Sequence, residues 1–130
     1  MSTDTIFSGF CTKIAAAFSS YPIAYSGMVF TPPASGLWLE VKPFYSGVTE
    51  YGLTNPAVER GFLRVMVCGR RGAGSIAALK LAEQVAAAFP KGTIFGGARQ
   101  DERPSISSVI EDGDKIIVPV TVSWRATRVS

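Results

Sequence analysis

The chain has 130 residues, of which 47% are hydrophobic and 18% charged, with a formal net charge of +3 and no histidine. This composition is typical of a globular domain rather than of a disordered segment. The lack of histidine excludes Ser-His-Asp and Cys-His nucleophilic systems and the usual zinc ligand sets. The mild positive charge permits contact with DNA or with an acidic partner but requires neither.

No apolar run approaches the roughly 20 residues of a membrane span, and the first residues, MSTDTIF, lack the features of a signal peptide. We therefore expect a single domain over residues 1–130 that is made in a cytoplasm and has no membrane partner. Cys11 and Cys68 each fall within an apolar pattern. We expect both thiols to be reduced and buried, with a disulfide or a reactive thiol as the alternatives.

Apolar residues at steps of three and four predict a first helix over residues 3–20, which Pro22 ends. Alternation then predicts a strand over residues 37–42, closed by Pro43, and a second strand over residues 62–68.

A second apolar stripe predicts a helix over residues 75–89. Strands are expected at 93–95, 105–110 and 115–125, with a polar loop over 96–104. Asp112-Gly113 is a strong hairpin signal because such a turn needs positive φ. The order α-β-β-α-β-β-β predicts an α+β fold, a single mixed and mostly antiparallel sheet with two helices packed on one face.

Two helices on one face leave the other face of the predicted sheet uncovered. Alternation places a half-apolar set of residues there: Trp38, Phe62, Arg64, Met66 and Ile117. A half-apolar face suggests a partner subunit. The alternative is that the aperiodic residues 44–60, which we expect to form a long loop, fold over it.

The turn between the second predicted strand and the second helix, GRRGAGS at residues 69–75, resembles a phosphate-binding loop. It lacks the lysine and the metal-binding hydroxyl of a Walker loop. Residues 72–77 match the dinucleotide pattern GxGxxA, but no acidic residue ends a strand about 20 residues later to hold a ribose. We expect no cofactor, and a strand-to-helix corner built by glycine is the simpler interpretation.

Exposed amides at the start of a helix favour an anion, and Arg70 and Arg71 add positive charge. That anion is either a carboxylate of a neighbouring subunit or a nucleic-acid phosphate. Arg99 and Arg103 are candidates for the same surface. The acidic residues around the hairpin turn at 111–114 are explained by turn chemistry, and we expect no metal site there.

Three stretches carry a resemblance to a known family: PIAYSGMVFTPPASGLWLEV, ERGFLRVMVCGRRGAGSIAALKLAEQVAAAFPKGTIF and PSISSVIEDGDKIIVPVTVSWRA. Together they resemble the small tail-terminator (tail-completion) proteins of long-tailed double-stranded DNA bacteriophages. The resemblance implies a mixed sheet with helices packed against it and a non-enzymatic virion protein. It offers no catalytic signature, so the candidate residues come from this sequence alone.

The resemblance further implies a homo-oligomeric ring, typically of six subunits, assembled in the bacterial host cytoplasm. Such a ring caps the tail tube, stops tube polymerisation and offers a surface to the head. The expected partners are further copies of the chain, the tail-tube protein and the head–tail connector, with genomic DNA in the channel as an additional candidate. The alternatives are a head–tail joining or tail-tube protein, or a dinucleotide-binding α/β protein.

A capping protein needs an adaptable arm, and the expected loop over residues 44–60 is the candidate. It is expected to be mobile in a free monomer and ordered on assembly. Its candidate contacts are Tyr45, Glu50, Tyr51 and Leu53.

Overall fold

A computed structural model describes residues 3–25, 27–33, 36–50, 56–71 and 75–129. The elements follow in the order α1 (Thr3–Ala17), β1 (Ile23–Tyr25), β2 (Trp38–Glu50), β3 (Pro56–Arg70), α2 (Ile76–Ala88), β4 (Ile94–Phe95), β5 (Ala98–Gln100), β6 (Ser105–Ile106), β7 (Ile110–Asp112) and β8 (Lys115–Val129). Within these residues, no helix is both long and apolar enough to cross a membrane.

The described strands form one sheet of eight, in the order β1-β2-β3-β8-β5-β4, with β6 and β7 also paired to β8. The pair β1–β2 is parallel, and the remaining pairs are antiparallel. The predicted α+β fold with a mixed, mostly antiparallel sheet is therefore confirmed. The expected element order missed β1 and β5, and the strand predicted over residues 105–110 is divided into β6 and β7.

Both helices cover the same face of the sheet. Helix α1 contributes Ile6, Phe10 and Ile14 to the core, followed directly by Phe18, and α2 contributes Ala78, Leu81, Ala82 and Val85. The sheet meets them with alternate residues of its long strands: Leu39, Val41, Leu63, Val65, Val67, Val118, Val120, Val122 and Trp124. Burying this apolar surface is the main stabilising contribution, at roughly 25 cal/mol per Å².

Three phenylalanines join the helices to the far edge of the sheet. The Phe10 ring lies 4.7 Å from that of Phe89 and 5.3 Å from that of Phe95, measured between centroids. Gln100, which is buried, donates from Nε2 to the Phe89 carbonyl at 2.6 Å. The end of α2 is therefore tied to β5, within the stretch that the sequence predicted to be a polar loop.

The expectation of a long loop over residues 44–60 is wrong. Strand β2 continues through Pro43 to Glu50, and β3 begins at Pro56 and pairs with it in antiparallel register. Strand β1 ends opposite Val41, so the outer edge of β2 has no described partner at Pro43, and an edge tolerates a residue without an N–H. Residues 51–55, which connect the two strands, lie outside the described residues.

Two irregularities explain why the alternation of apolar residues did not predict the full length of this strand pair. The register shifts between Tyr45 and Gly47, which marks a β-bulge and interrupts the alternation. Gly61 lies under the Trp124 indole, where an added Cβ would meet Trp124 Cζ2 at 2.6 Å and the Phe44 carbonyl oxygen at 2.8 Å. The glycine that reads as a loop signal is therefore required by close packing inside a strand.

Helix α1 approaches the β4–β5 turn backbone to backbone. A Cβ added at Gly9 would lie 2.5 Å from the Gly96 nitrogen, and Gly96 itself has φ +55°. This contact can form only if both positions lack a side chain. It sets how closely α1 rests on the edge of the sheet.

Replacing Gly9 with alanine is therefore expected to lower the free energy of unfolding by about 1–3 kcal/mol through overpacking. The sign of this change tests the contact, because glycine to alanine in an unobstructed helix would raise the free energy of unfolding by about 1 kcal/mol. The matched control is Ser8→Ala on the exposed side of α1, which should change stability by less than about 0.5 kcal/mol. Urea denaturation measures both variants, and equal stability of Gly9→Ala and the parent would contradict the close contact.

Candidate interaction surface

The sheet face opposite the helices, called here the second face, carries the side chains that alternate with the core residues. Register places Trp38 beside Cys68 and Ile117, and Arg64 beside Lys42 and Thr121. The five residues predicted for the uncovered face therefore do lie on one surface. Their exposure differs, because Trp38 is fully buried while Phe62, Arg64, Met66 and Ile117 are half-buried.

Trp38 lies at the centre of a small polar cluster. Its indole Nε1 donates to Glu40 Oε2 at 3.1 Å, and the Cys68 thiol donates to the same oxygen at 3.5 Å. The Arg70 guanidinium lies 5.1 Å from the centroid of the Trp38 ring. The expectation that Trp38 is uncovered is therefore wrong, since Trp38 is fully buried and the Arg70 guanidinium lies over its ring.

Arg70 also connects three separate segments of the chain. Its Nε and Nη2 donate to the Pro33 carbonyl at 3.1 and 2.8 Å, and its Nη1 forms an ion pair with Asp114 at 2.7 Å. One guanidinium thus joins β3, the segment before β2 and the β7–β8 hairpin. Residues 44–60 do not fold over the face as a loop, because residues 44–50 and 56–60 belong to β2 and β3.

Arg71 makes weaker contacts with the same hairpin. Its Nη2 lies 3.7 Å from Glu111 Oε1, its Nη1 donates to the Gly113 carbonyl at 3.3 Å, and its side chain is 57% exposed. Gly113 has φ +61°, which confirms the predicted Asp112-Gly113 turn. Both arginines of the glycine turn therefore bind acidic groups of their own chain, and residues 72–74 of that turn lie outside the described residues.

The middle of the second face holds a stacked aromatic pair. The Phe44 and Phe62 rings lie 4.9 Å apart with an interplanar angle of 10°, and Arg64 lies 5.0 and 5.5 Å from their centroids. Arg64 Nε also donates to Thr121 Oγ1 at 3.4 Å. Phe44 was not among the predicted surface residues because it fell within the expected loop. Its side chain is 38% exposed.

The remaining predicted residues are scattered. Arg99 is exposed on β5, directly opposite Arg125 of β8, and Arg103 is exposed after β5. Tyr45 and Glu50 lie in β2, whereas Tyr51 and Leu53 lie outside the described residues. Arg99 and Arg103 do not join Arg70 and Arg71 at the β7–β8 hairpin. Their roles at an interface stay predictions.

Both thiols are held in the protonated form. Burial raises the pKa of Cys11 to about 11, and burial together with the Glu40 carboxylate raises the pKa of Cys68 to about 12. Both cysteines are free thiols; Cys68 is buried as expected, whereas Cys11 is only half-buried, so the expectation is wrong for Cys11. Within the described residues, no group of three potential metal ligands comes together. The raised pKa values favour the protonated, less nucleophilic form of both thiols.

Replacing Arg70 should destabilise the fold more than replacing its neighbour. Arg70→Gln removes a charged donor from a half-buried site and is expected to cost about 1–3 kcal/mol. Arg71→Gln makes the same change in net charge at an exposed ion pair and is expected to cost less than about 1 kcal/mol. Urea denaturation followed by far-ultraviolet circular dichroism compares the two variants. Equal losses in the free energy of unfolding would contradict the role of Arg70 in connecting the three segments.

The Cys68 thiol should resist alkylation. At pH 8 we expect iodoacetamide to modify Cys68 at least about 100-fold more slowly in the folded protein than in urea, since the thiolate is the nucleophile. The slowing should be smaller at Cys11, whose pKa is raised less. Mass spectrometry of the two peptides measures both rates, and equal rates at Cys68 in folded and unfolded protein would refute its burial.

The raised pKa also makes stability depend on pH. The ordinary thiol pKa is 9.0, so the unfolded state releases the proton first, and stability from the buried Cys68 thiol is lost as pH rises from 9 towards 12. Below pH 9 this contribution is constant. Cys68→Ala should therefore show a shallower loss of stability than the parent across this range, and parallel curves would contradict the assignment.

Comparison with known proteins identifies the family to which the chain belongs. The model of the phage tail terminator protein family matches residues 6–124. No curated protein matches the chain. A solved protein that carries no functional name superposes with a TM-score of 0.76 at 24% identity, covering 96% of this chain and 95% of that one. A chain from the virion of a native gene transfer agent particle superposes with a TM-score of 0.63 at 14% identity, covering 94% of each. These two likenesses concern the fold, whereas the family model spans nearly all of the described core, and the chain therefore belongs to the phage tail terminator protein family.

Proposed function

We propose that this chain is a non-enzymatic structural protein that forms a closed ring, typically of six copies, on the end of a phage tail tube. The ring would end tube polymerisation and give the head its attachment surface. The observation that carries the proposal is the family match over residues 6–124. That stretch runs from the first core residue of α1 to Trp124 of β8, so it contains most of α1, all of α2 and most of the strand pairing that builds the core.

A free strand edge supports assembly with another chain. Strand β1 pairs only with residues 39–41 of β2, so the outer edge of β2 from Lys42 to Glu50 has no partner strand among the described residues. Unpaired backbone N–H and C=O groups at an edge readily pair with a neighbouring chain. The strand pair β2–β3 thus takes the place of the flexible arm that the sequence suggested.

Exposed apolar side chains lie beside that edge. Met28 is 70% exposed and Val29 is fully exposed, in the segment after β1. Met28 also lines a surface groove together with Val41 and Lys42 of β2. Since apolar side chains of this size gain about 1.5–3 kcal/mol each on burial, a subunit that covered them would be held by a substantial free energy.

Electron microscopy tests the proposed function directly. When the purified protein is added to polymerising tail-tube protein, we expect a ring at one end of each tube and shorter tubes as its concentration rises. Protein distributed along the tube wall would instead identify a tube component. Rings that bind heads but never tubes would identify a head–tail joining protein.

The exposed segment after β1 is expected to take part in ring formation. Met28→Asp together with Val29→Asp should raise the protein concentration needed for rings by at least about tenfold, because two buried apolar contacts are lost. Since both side chains are exposed in the monomer, its stability should be unchanged.

The matched control is Ile76→Asp with Ala77→Asp at the exposed start of α2, which changes the net charge equally. Analytical ultracentrifugation measures ring formation for both variants. An equal loss in the control would show that added charge alone weakens the ring, and no loss in either would exclude this segment from the interface.

A further inference from the structure

Three arginines stand side by side on the second face. Arg60 of β3 is in register with Arg125 of β8, and Arg125 is in register with Arg99 of β5. Residues directly opposite one another on adjacent strands share a face, so the three side chains form one row across three strands. All three are exposed, and we call them the arginine row.

No ion pair among the described residues neutralises the arginine row. Within the described part of the chain, none of the three forms an ion pair, whereas Arg70 and Arg71 are both paired. Like charges directly opposite one another on a sheet destabilise it. The row therefore costs folding free energy that an anion bound across it would recover.

A second copy of the chain is a poor source of that anion. Among the described acidic residues, Asp114 and Glu111 are paired with arginines, and Glu40 accepts from Trp38 and Cys68. The exposed carboxylates of Glu83, Glu102 and Asp112 lie on separate elements. The acidic cluster of the β7–β8 hairpin, formed by Glu111, Asp112 and Asp114, already has two of its three carboxylates in ion pairs with Arg71 and Arg70.

We propose that the arginine row binds the phosphate backbone of duplex DNA. Adjacent strands lie about 4.8 Å apart, so three of them span about 10 Å. The long arginine side chains can reach about three successive phosphates of one duplex strand, which advance about 3.4 Å each along the helix axis while winding round it. Each guanidinium can then take its own phosphate, with the paired N–H groups that suit phosphate oxygens.

The surface beside the row continues the same chemistry. A groove next to Arg99 and Arg125 is also lined by Lys91, which adds a fourth cation, and by Asp101, a half-buried acid at its border. A regular line of phosphates can follow this cationic path past a single acidic group.

Duplex DNA is favoured over a single strand by the neighbouring aromatic pair. Single strands are bound by stacking bases on exposed rings. Phe44 and Phe62 stack on each other and lie within cation–π distance of Arg64, so a base would first have to displace these contacts. The row is therefore assigned to backbone contacts, which carry no sequence preference.

This inference rests on the proposed function only in placing the protein beside DNA within a phage particle. Fluorescence anisotropy with a labelled mixed-sequence duplex, titrated between about 50 and 200 mM salt, measures the affinity and its salt dependence. Arg60→Gln with Arg125→Gln should weaken binding at least about tenfold and reduce the slope of log K against log salt by about 1.8, or about 0.9 for each lost phosphate contact. Arg60→Lys with Arg125→Lys should keep most of the slope, because the charges remain.

The matched control is Lys13→Gln with Lys80→Gln, which lowers the net charge equally on exposed helix positions. A control that keeps the duplex affinity and the salt slope of the parent supports the proposal for the arginine row. Equal losses in both double variants would mean that net charge alone explains the effect, and would overturn the proposal. Absence of duplex binding at low salt would also overturn it. Tighter binding to an acidic polyglutamate than to duplex would overturn it in favour of a protein partner, and tighter single-strand binding that depends on Phe44 would overturn the duplex assignment.

The tube assay separates this inference from the proposed function. Row variants that still cap tubes but have lost duplex affinity support both proposals. Row variants that keep duplex affinity but no longer cap tubes overturn the DNA assignment. They leave the proposed function standing, because the row would then act in capping itself. Parent protein that binds duplex through the row but never caps a tube overturns the proposed function alone.

Discussion

The pairing of β3 with a long strand on each side is the constraint on which the rest of the structure depends. Strand β3 pairs with β2 from Ala57 to Cys68 and with β8 from Pro56 to Arg70. Because a one-residue slip would turn every side chain to the other face, this register fixes both surfaces together. It places valine and leucine under the helices and, on the opposite side, the polar and aromatic groups from Trp38 to the arginine row.

Much of this arrangement follows from local sequence. The residues of the predicted strands alternate cleanly, and the apolar stripes of both helices are regular, so the fold class and the helix-covered face could be predicted. The extension of β2 and β3 could not, because its pattern is broken by Pro43, by a bulge near Gly47 and by Gly61. Each of these residues is accommodated by a tertiary feature, an open edge or a covering indole, that periodicity does not report.

The candidate surface was harder to predict than the fold. Arg70 and Arg71 are adjacent in sequence and drew attention as a pair, yet both bind carboxylates of the β7–β8 hairpin. Arg60, Arg99 and Arg125 are far apart in sequence, and only the register of β3, β8 and β5 brings them together. A charge cluster assembled across strands leaves no trace in local composition, whereas paired charges in a turn are conspicuous and often structural.

The two tryptophans occupy opposite faces of one sheet. Trp124 lies in the helix-covered core over Gly61, and Trp38 lies beneath Arg70 on the other side. Each indole therefore reports on a different contact: Trp124 on the packing of the helices, and Trp38 on the Arg70 guanidinium, which also donates to the Pro33 carbonyl. The protein thus contains an intrinsic pair of optical probes, and single-tryptophan versions would resolve whether its two surfaces form together or in sequence.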